Sequence, residues 1–187
     1  MSNSWNNPVI MQEAQALMAL TNDLEEPFEK AVSLLAGVSG KIICTGIGKS
    51  GHVATKMAVT LTSMESAATF LDPTDAGNSS TSLVTEDDAI FVFSRSGRAV
   101  EMVEILADAK SKGVPIIMIS ENDQDSLAAY ATVILKMPPM KEDWGHAPTT
   151  STIIQMAIGD AIAVSLAEKK EFAEDVSAVS LALKKEF

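Results

Sequence analysis

Ile42-Ile-Cys-Thr-Gly-Ile-Gly-Lys-Ser-Gly-His52 sets a short apolar run against a glycine-rich turn, and a helical pattern follows from Ser50 to Ser63. A strand that breaks into a glycine loop and then a helix is the opening unit of a parallel sheet. After the first strand, Ile42 to Thr45, four more apolar runs repeat the theme: Ala67 to Leu71, Ala89 to Phe93, Pro115 to Ile119 and Val133 to Leu135. Helical patterns over Arg98 to Lys112 and, briefly, Asp125 to Tyr130 separate the later ones. The runs do not alternate with polar residues, so both faces of the sheet are expected to be covered. The spacing predicts an α/β fold, a three-layer sandwich with a five-stranded parallel sheet flanked by helices.

Outward from that core (residues 41–170), residues 1–37 carry two helical patterns, Pro8 to Leu20 and Leu24 to Leu35. The stretch from Gly37 to Gly40 breaks the second. After the fifth strand, a long apolar helix is expected from Thr149 to about Glu168, then a separate amphipathic helix within residues 173–187. There is no repeat or linker, and 1–187 reads as one domain.

The chain has 187 residues, with 25 Asp+Glu against 14 Lys+Arg and a formal charge of −11. A pI near 4.5 argues against nucleic acid and against an anionic membrane surface, since both need clustered basic groups. The start, MSNSWNNPVI, has neither the basic nor the apolar region of a secretory signal, and no run of about 18 apolar residues suggests a span. The single cysteine, Cys44, reads as a small core residue. A cytoplasmic location is expected.

Ligands of such sheets bind beyond the carboxyl ends of the strands, which directs attention to three loops. In the first, Gly46, Gly48 and Gly51 let backbone approach an anion, and the helix that follows offers free N–H groups. A Walker A loop would need glycine where Ile43 stands. The GxGxxG spacing, with Asp72 ending the second strand, leaves a dinucleotide reading open, as does a plain tight turn with Ser50 as helix cap. The second loop, Ser94-Arg-Ser-Gly-Arg98, holds two hydroxyls, Gly97 and both arginines of the chain. Arg95 and Arg98 are each suited to clamp a phosphate or carboxylate. The third, Lys141-Glu-Asp-Trp-Gly-His-Ala-Pro-Thr-Thr-Ser151, supplies Glu142, Asp143 and His146 for proton transfer, and Thr149, Thr150 and Ser151 before the long helix. Lys49, Arg95, Arg98, Lys141, His52 and His146 are six of the twelve potentially cationic side chains of residues 1–167. Their convergence predicts an electropositive rim on an acidic molecule.

Together Gly46-Ile-Gly-Lys-Ser-Gly-His52, Ser94-Arg-Ser-Gly97 and Ala147-Pro-Thr-Thr-Ser-Thr152 resemble the three signatures of sugar isomerase (SIS) domains. The resemblance runs from about residue 40 to 170 and is greatest to the arabinose 5-phosphate isomerase branch of capsule and lipopolysaccharide type, which also matches Asp72-Pro73 and Val84 to Asp88. It implies a flavodoxin-like sheet, a homodimer or homotetramer, and a small phosphorylated sugar as ligand. The family's phosphate-binding hydroxyls map onto Ser50, Ser94 and Ser96, with Thr149 to Ser151 nearby, its lysine onto Lys49 and its third-loop glutamate onto Glu142. Three family features are replaced here. The histidine-bearing loop after the second strand has Asn78-Ser79-Ser80, the acid after Ser-x-Ser-Gly is Arg98, and Val179-Ser180-Leu181 stands near the terminal histidine motif. The regulatory module that follows in many relatives is absent from this sequence.

Aldose–ketose isomerisation moves a proton between adjacent carbons, which needs a base and a donor for the developing oxyanion. On this reading Glu142 is the base, Lys49 stabilises the oxyanion, and His52 or His146 assists ring opening or proton relay. Gly48, Ser50, Ser94, Arg95, Ser96, Gly97, Arg98, Thr149, Thr150 and Ser151 bind the substrate. No cofactor and no metal is called for, as no cluster has ligand spacing. The alternatives are a non-catalytic sugar-phosphate sensor, a hexulose 6-phosphate isomerase and a dinucleotide-binding protein.

Overall fold

The computed structural model describes residues 7–22, 24–74, 83–142 and 147–184, with residues 21, 22 and 174–184 as backbone only. The five apolar runs form β1 (Ile42–Gly46), β2 (Ala68–Leu71), β3 (Ala89–Phe93), β4 (Ile116–Ser120) and β5 (Val133–Lys136). All pairs are parallel and the order is β2-β1-β3-β4-β5. That is the doubly wound order in which the chain reverses direction between β1 and β3.

Side chains of successive strand residues point to opposite faces, so each strand feeds two cores. Cys44, Phe91, Phe93, Ile117, Ile119 and Leu135 meet helices α2 (Glu25–Ala36), α3 (Lys49–Ser63) and α5 (Thr150–Lys184). Ile43, Ile90, Val92, Ile116 and Met118 meet α4 (Val103–Ser111) on the other face. All five residues of β1, β3 and β4 are buried. Each large side chain so buried contributes about 1.5–3 kcal/mol, which is why runs without polar alternation settle in the middle of the sheet. Helix α1 (Pro8–Met18) begins at Asn7, whose side chain accepts from the Val9 N–H at 3.0 Å, and packs on α5.

Three expectations need correction. The C-terminal helix is not separate: α5 runs unbroken from Thr150 to Lys184, because Glu168-Lys-Lys-Glu-Phe-Ala173 contains no breaker and mostly strong helix formers. Its segment Thr150–Ala173 is also long and apolar enough to cross a membrane by composition, although no such run was expected. Half of that segment is buried, with Ile154, Ile158, Ile162 and Leu166 in the core, so in this fold it is a core helix. The helix expected from Arg98 starts later. Ala99 is extended (ψ 100°), a 3-10 turn covers Val100–Met102, and α4 follows.

Candidate functional site

Three loops meet at the carboxyl edge of the sheet. The first turns at Gly48 with φ 59° and ψ −127°, a conformation that L side chains rarely adopt. Gly48 is the N-cap of α3 and no side chain caps that helix. Ser50 therefore does not spend its hydroxyl on capping, and the first N–H groups of α3 remain available to a ligand.

The second loop leaves β3 at Ser94. The Ser94 hydroxyl oxygen accepts the Gly97 N–H at 3.2 Å, so its own proton is still free to be donated. Gly97 sits at φ 69°, where a Cβ would meet Asp125 and Ser120 at 3.4–3.5 Å. Arg95 O accepts from Glu121 N at 3.0 Å and from Ser120 Oγ at 3.2 Å, and Gly97 O accepts from Leu127 N at 3.0 Å. The loop is thus tied to β4 and to the turn beyond it.

A cleft of about 400 Å³ lies between these two loops, lined by Ser50, Ser94, Ser96, Arg95, Arg98 and Glu101. Ile47, Phe93, Ala99 and Met102 form its apolar wall. Glu101, on the 3-10 turn before α4, is the one carboxylate in that lining and has no partner among the described residues. Sequence reasoning missed it. The sequence pattern ran one helix from Arg98, and only the 3-10 turn over Val100–Met102 brings Glu101 to the cleft. A second cleft, about 580 Å³, continues past Arg95, Ser96 and Arg98 to Glu121, Asn122, Asp125 and Lys136.

His52 and Asp72 line a third cleft of about 400 Å³ on the far side of the first loop, with Phe70 and Thr74. His52 is therefore not brought to the serines. The Thr74 hydroxyl and N–H donate to Asp72 at 2.7 and 2.9 Å and hold its carboxyl below the usual range, which makes Asp72 part of a local turn. Lys49 is exposed and lines none of these clefts. His146 and Asp143 lie outside the described residues, as does Asn78-Ser79-Ser80.

The third loop departs most from expectation. Glu142 is buried, and its Oε2 accepts the Thr149 N–H at 2.7 Å and the Thr149 hydroxyl at 3.1 Å. Arg95 Nη1 stands 3.3 Å from Oε1, close enough for an ion pair, yet Oε1 has no aligned hydrogen-bond donor. Burial, the largest influence, pushes the Glu142 carboxyl upward. Hydrogen bonds from Ser151 and Thr149 and the Arg95 charge outweigh it and hold the carboxyl below the usual range. The geometry makes Glu142 an ionised clamp between Arg95 and the start of α5. Thr150 and Ser151 are buried as well, and neither they nor Thr149 line these clefts.

The two arginines of the expected electropositive rim are neutralised, and so is the neighbouring Lys136. Arg95 Nε donates to Glu121 at 3.0 Å, Arg98 Nε to Asp125 at 2.8 Å, and Lys136 to Asp123 at 2.8 Å. The acids come from the loop after β4, so counting cations loop by loop could not reveal them. The described residues hold no cluster of three or more potential metal ligands.

Comparison with known proteins agrees with this layout. The SIS domain family model matches residues 35–165. The chain is 35% identical over 181 residues to the arabinose 5-phosphate isomerase of Francisella tularensis, covering 93% of this chain and 55% of that protein. It is 35% identical over 166 residues to the arabinose 5-phosphate isomerase of Pseudomonas aeruginosa, covering 87% and 51%. It spans about half the length of these relatives. Among solved structures, a protein of Escherichia coli CFT073 in complex with arabinose 5-phosphate superposes with a TM-score of 0.81 at 29% identity, covering 88% of each chain. A parallel 2-1-3-4-5 sheet, hydroxyl loops at its carboxyl edge and a family match over most of the core lead to one assignment: this chain belongs to the SIS domain family.

Proposed function

We propose that this chain binds a small sugar phosphate and interconverts its aldose and ketose forms, with arabinose 5-phosphate and ribulose 5-phosphate as the pair. The observation that carries the reading is the serine-lined cleft with Glu101 on its wall. Ser50, Ser94 and Ser96 offer hydroxyls to phosphate oxygens beside the uncapped start of α3. Arg95 and Arg98 add charge once their carboxylate partners are exchanged for the ligand. Names of relatives and the arabinose 5-phosphate complex of a 29% identical protein support the substrate class.

The sugar then extends along the apolar wall to Glu101. A carboxylate without a partner can accept the proton from one carbon and return it to the next. Lys49, on the first loop, is proposed to meet the enediolate oxygen. His146 remains a proposed helper of ring opening, whereas His52 faces the other cleft. Glu142 takes a different part from the one its sequence position suggested: with its side chain buried and its oxygens turned to Thr149 and Arg95, it orients the guanidinium. We further propose a single domain that works as a homodimer or homotetramer in the cytoplasm.

Two substitutions separate the carboxylates. Glu101→Gln should lower kcat by about 100-fold or more with KM little changed. Glu142→Gln should raise KM and loosen α5. If Glu101→Gln turns over normally while Glu142→Gln abolishes turnover at unchanged stability, Glu142 is the base. If wild-type protein binds the sugar phosphate without converting it, the sensor reading is correct.

A further inference from the structure

Gln155 is fully buried on α5, and neither its amide nitrogen nor its amide oxygen has a hydrogen-bond partner. Buried amides are nearly always bonded, so a lone one calls for a physical reason. Its neighbours along the helix place it. Gly159, one turn further on, packs so closely that a Cβ there would lie 3.5 Å from the Phe93 ring, at the end of β3. Ser151, one turn nearer the helix start, is buried close enough to Glu142 to help hold its carboxyl below the usual range. Residues four apart share a helix face, so Gln155 lies between the end of β3 and Glu142, beneath the loop that begins at Ser94. Glu142 Oε1 is the other orphan of the described residues. A donor lacking an acceptor and an acceptor lacking a donor occupy one short stretch.

Arg95 connects them to the ligand. Its guanidinium balances Glu142 at 3.3 Å and also lines the serine cleft. The same N–H edge cannot serve a bound phosphate and Glu142 together. Drawn to an anion, Arg95 would leave behind a buried carboxylate without its counter-charge. We propose that Gln155 is a positioning residue whose amide N–H takes up Glu142 Oε1 when an anion in the cleft engages Arg95. This rests on the reading that the serine cleft takes a phosphate, and it adds what replaces the ion pair that binding removes. Unpaired, the amide is a liability to stability, as expected of a group kept for function.

The test uses the whole chain and inorganic phosphate as probe. Side-chain amide NMR should show the Gln155 Nε2–H signals moving and gaining protection from exchange as phosphate saturates. Replacing the acceptor, in Glu142→Ala, should abolish that response. Silence at Gln155 while the Ser94 and Ser96 backbone amides respond would overturn the proposal and leave the phosphate site intact. Silence at all three would overturn both. In parallel, Gln155→Met should raise Tm by a few degrees and weaken phosphate binding by about 5-fold or more. A lowered Tm, or unchanged binding, would mark the amide as structural and contradict the proposal.

Discussion

Arg95 shows how far a single residue's meaning depends on its partners. Its guanidinium touches Glu121, the Met140 carbonyl and Glu142 at 3.0, 3.4 and 3.3 Å, so the charge that ought to greet a phosphate is already shared. The hydroxyls of Ser50, Ser94 and Ser96 could be read from the sequence because their motifs follow strands directly. Glu101 could not, since its importance comes from a 3-10 turn that delays α4 and aims residue 101 at the cleft. Cys44 was read correctly as a core residue, and burial pushes its thiol up to about 12. Asp88 makes a prediction at the same scale. Burial pushes its carboxyl upward, but the Lys41 and Thr85 N–H groups, the Thr85 hydroxyl and the Lys41 ammonium hold it below the ordinary value. A lowered folded-state pKa gives stability that is complete above the unfolded value of about 4 and is lost as pH falls through the folded one. Asp88→Asn should therefore cost about 2 kcal/mol at pH 7. In urea titrations that gap should narrow steadily below about pH 4, and a gap constant down to pH 2 would contradict the assignment.

Among elements, the crossing of α3 and α5 sets the helix that opens onto the serine cleft against the helix whose start anchors Glu142. Gly159 makes it possible: a Cβ there would lie 2.5 Å from Met57 Cε and 3.3 Å from its sulfur. Gly159→Ala gains about 1 kcal/mol of helix propensity but overpacks a fully buried contact, which costs about 1–3 kcal/mol. We expect a net loss near 1 kcal/mol by urea unfolding. Met57→Val should be less harmful beside Gly159→Ala than alone, and strict additivity would refute the steric account. Element types and order were legible because strand runs bounded by glycine and helices with apolar periodicity are local signals. What was not legible was continuity. A break was expected between residues 168 and 173 where amphipathicity weakens, yet the backbone has no residue there that ends a helix. The packing of the third loop was not legible either. Only the fold shows that Thr149 gives its N–H and its hydroxyl to Glu142.

For the whole molecule, the net charge of −11 and the cleft belong to one design. Acidic groups from the loop after β4 neutralise the arginines of the loop after β3, so an incoming anion must exchange partners with Glu121, Asp125 and Glu142. Such exchange suits a small, multiply charged ligand and disfavours a long polyanion. The arrangement places hydroxyls, paired arginines and one unpaired carboxylate around a cleft of about 400 Å³. The most direct test is to add arabinose 5-phosphate to the purified chain and follow its carbon signals by NMR. The account predicts that ribulose 5-phosphate appears and that the mixture reaches the same ratio from either sugar. Binding with no interconversion, or turnover of a hexulose 6-phosphate alone, would contradict it.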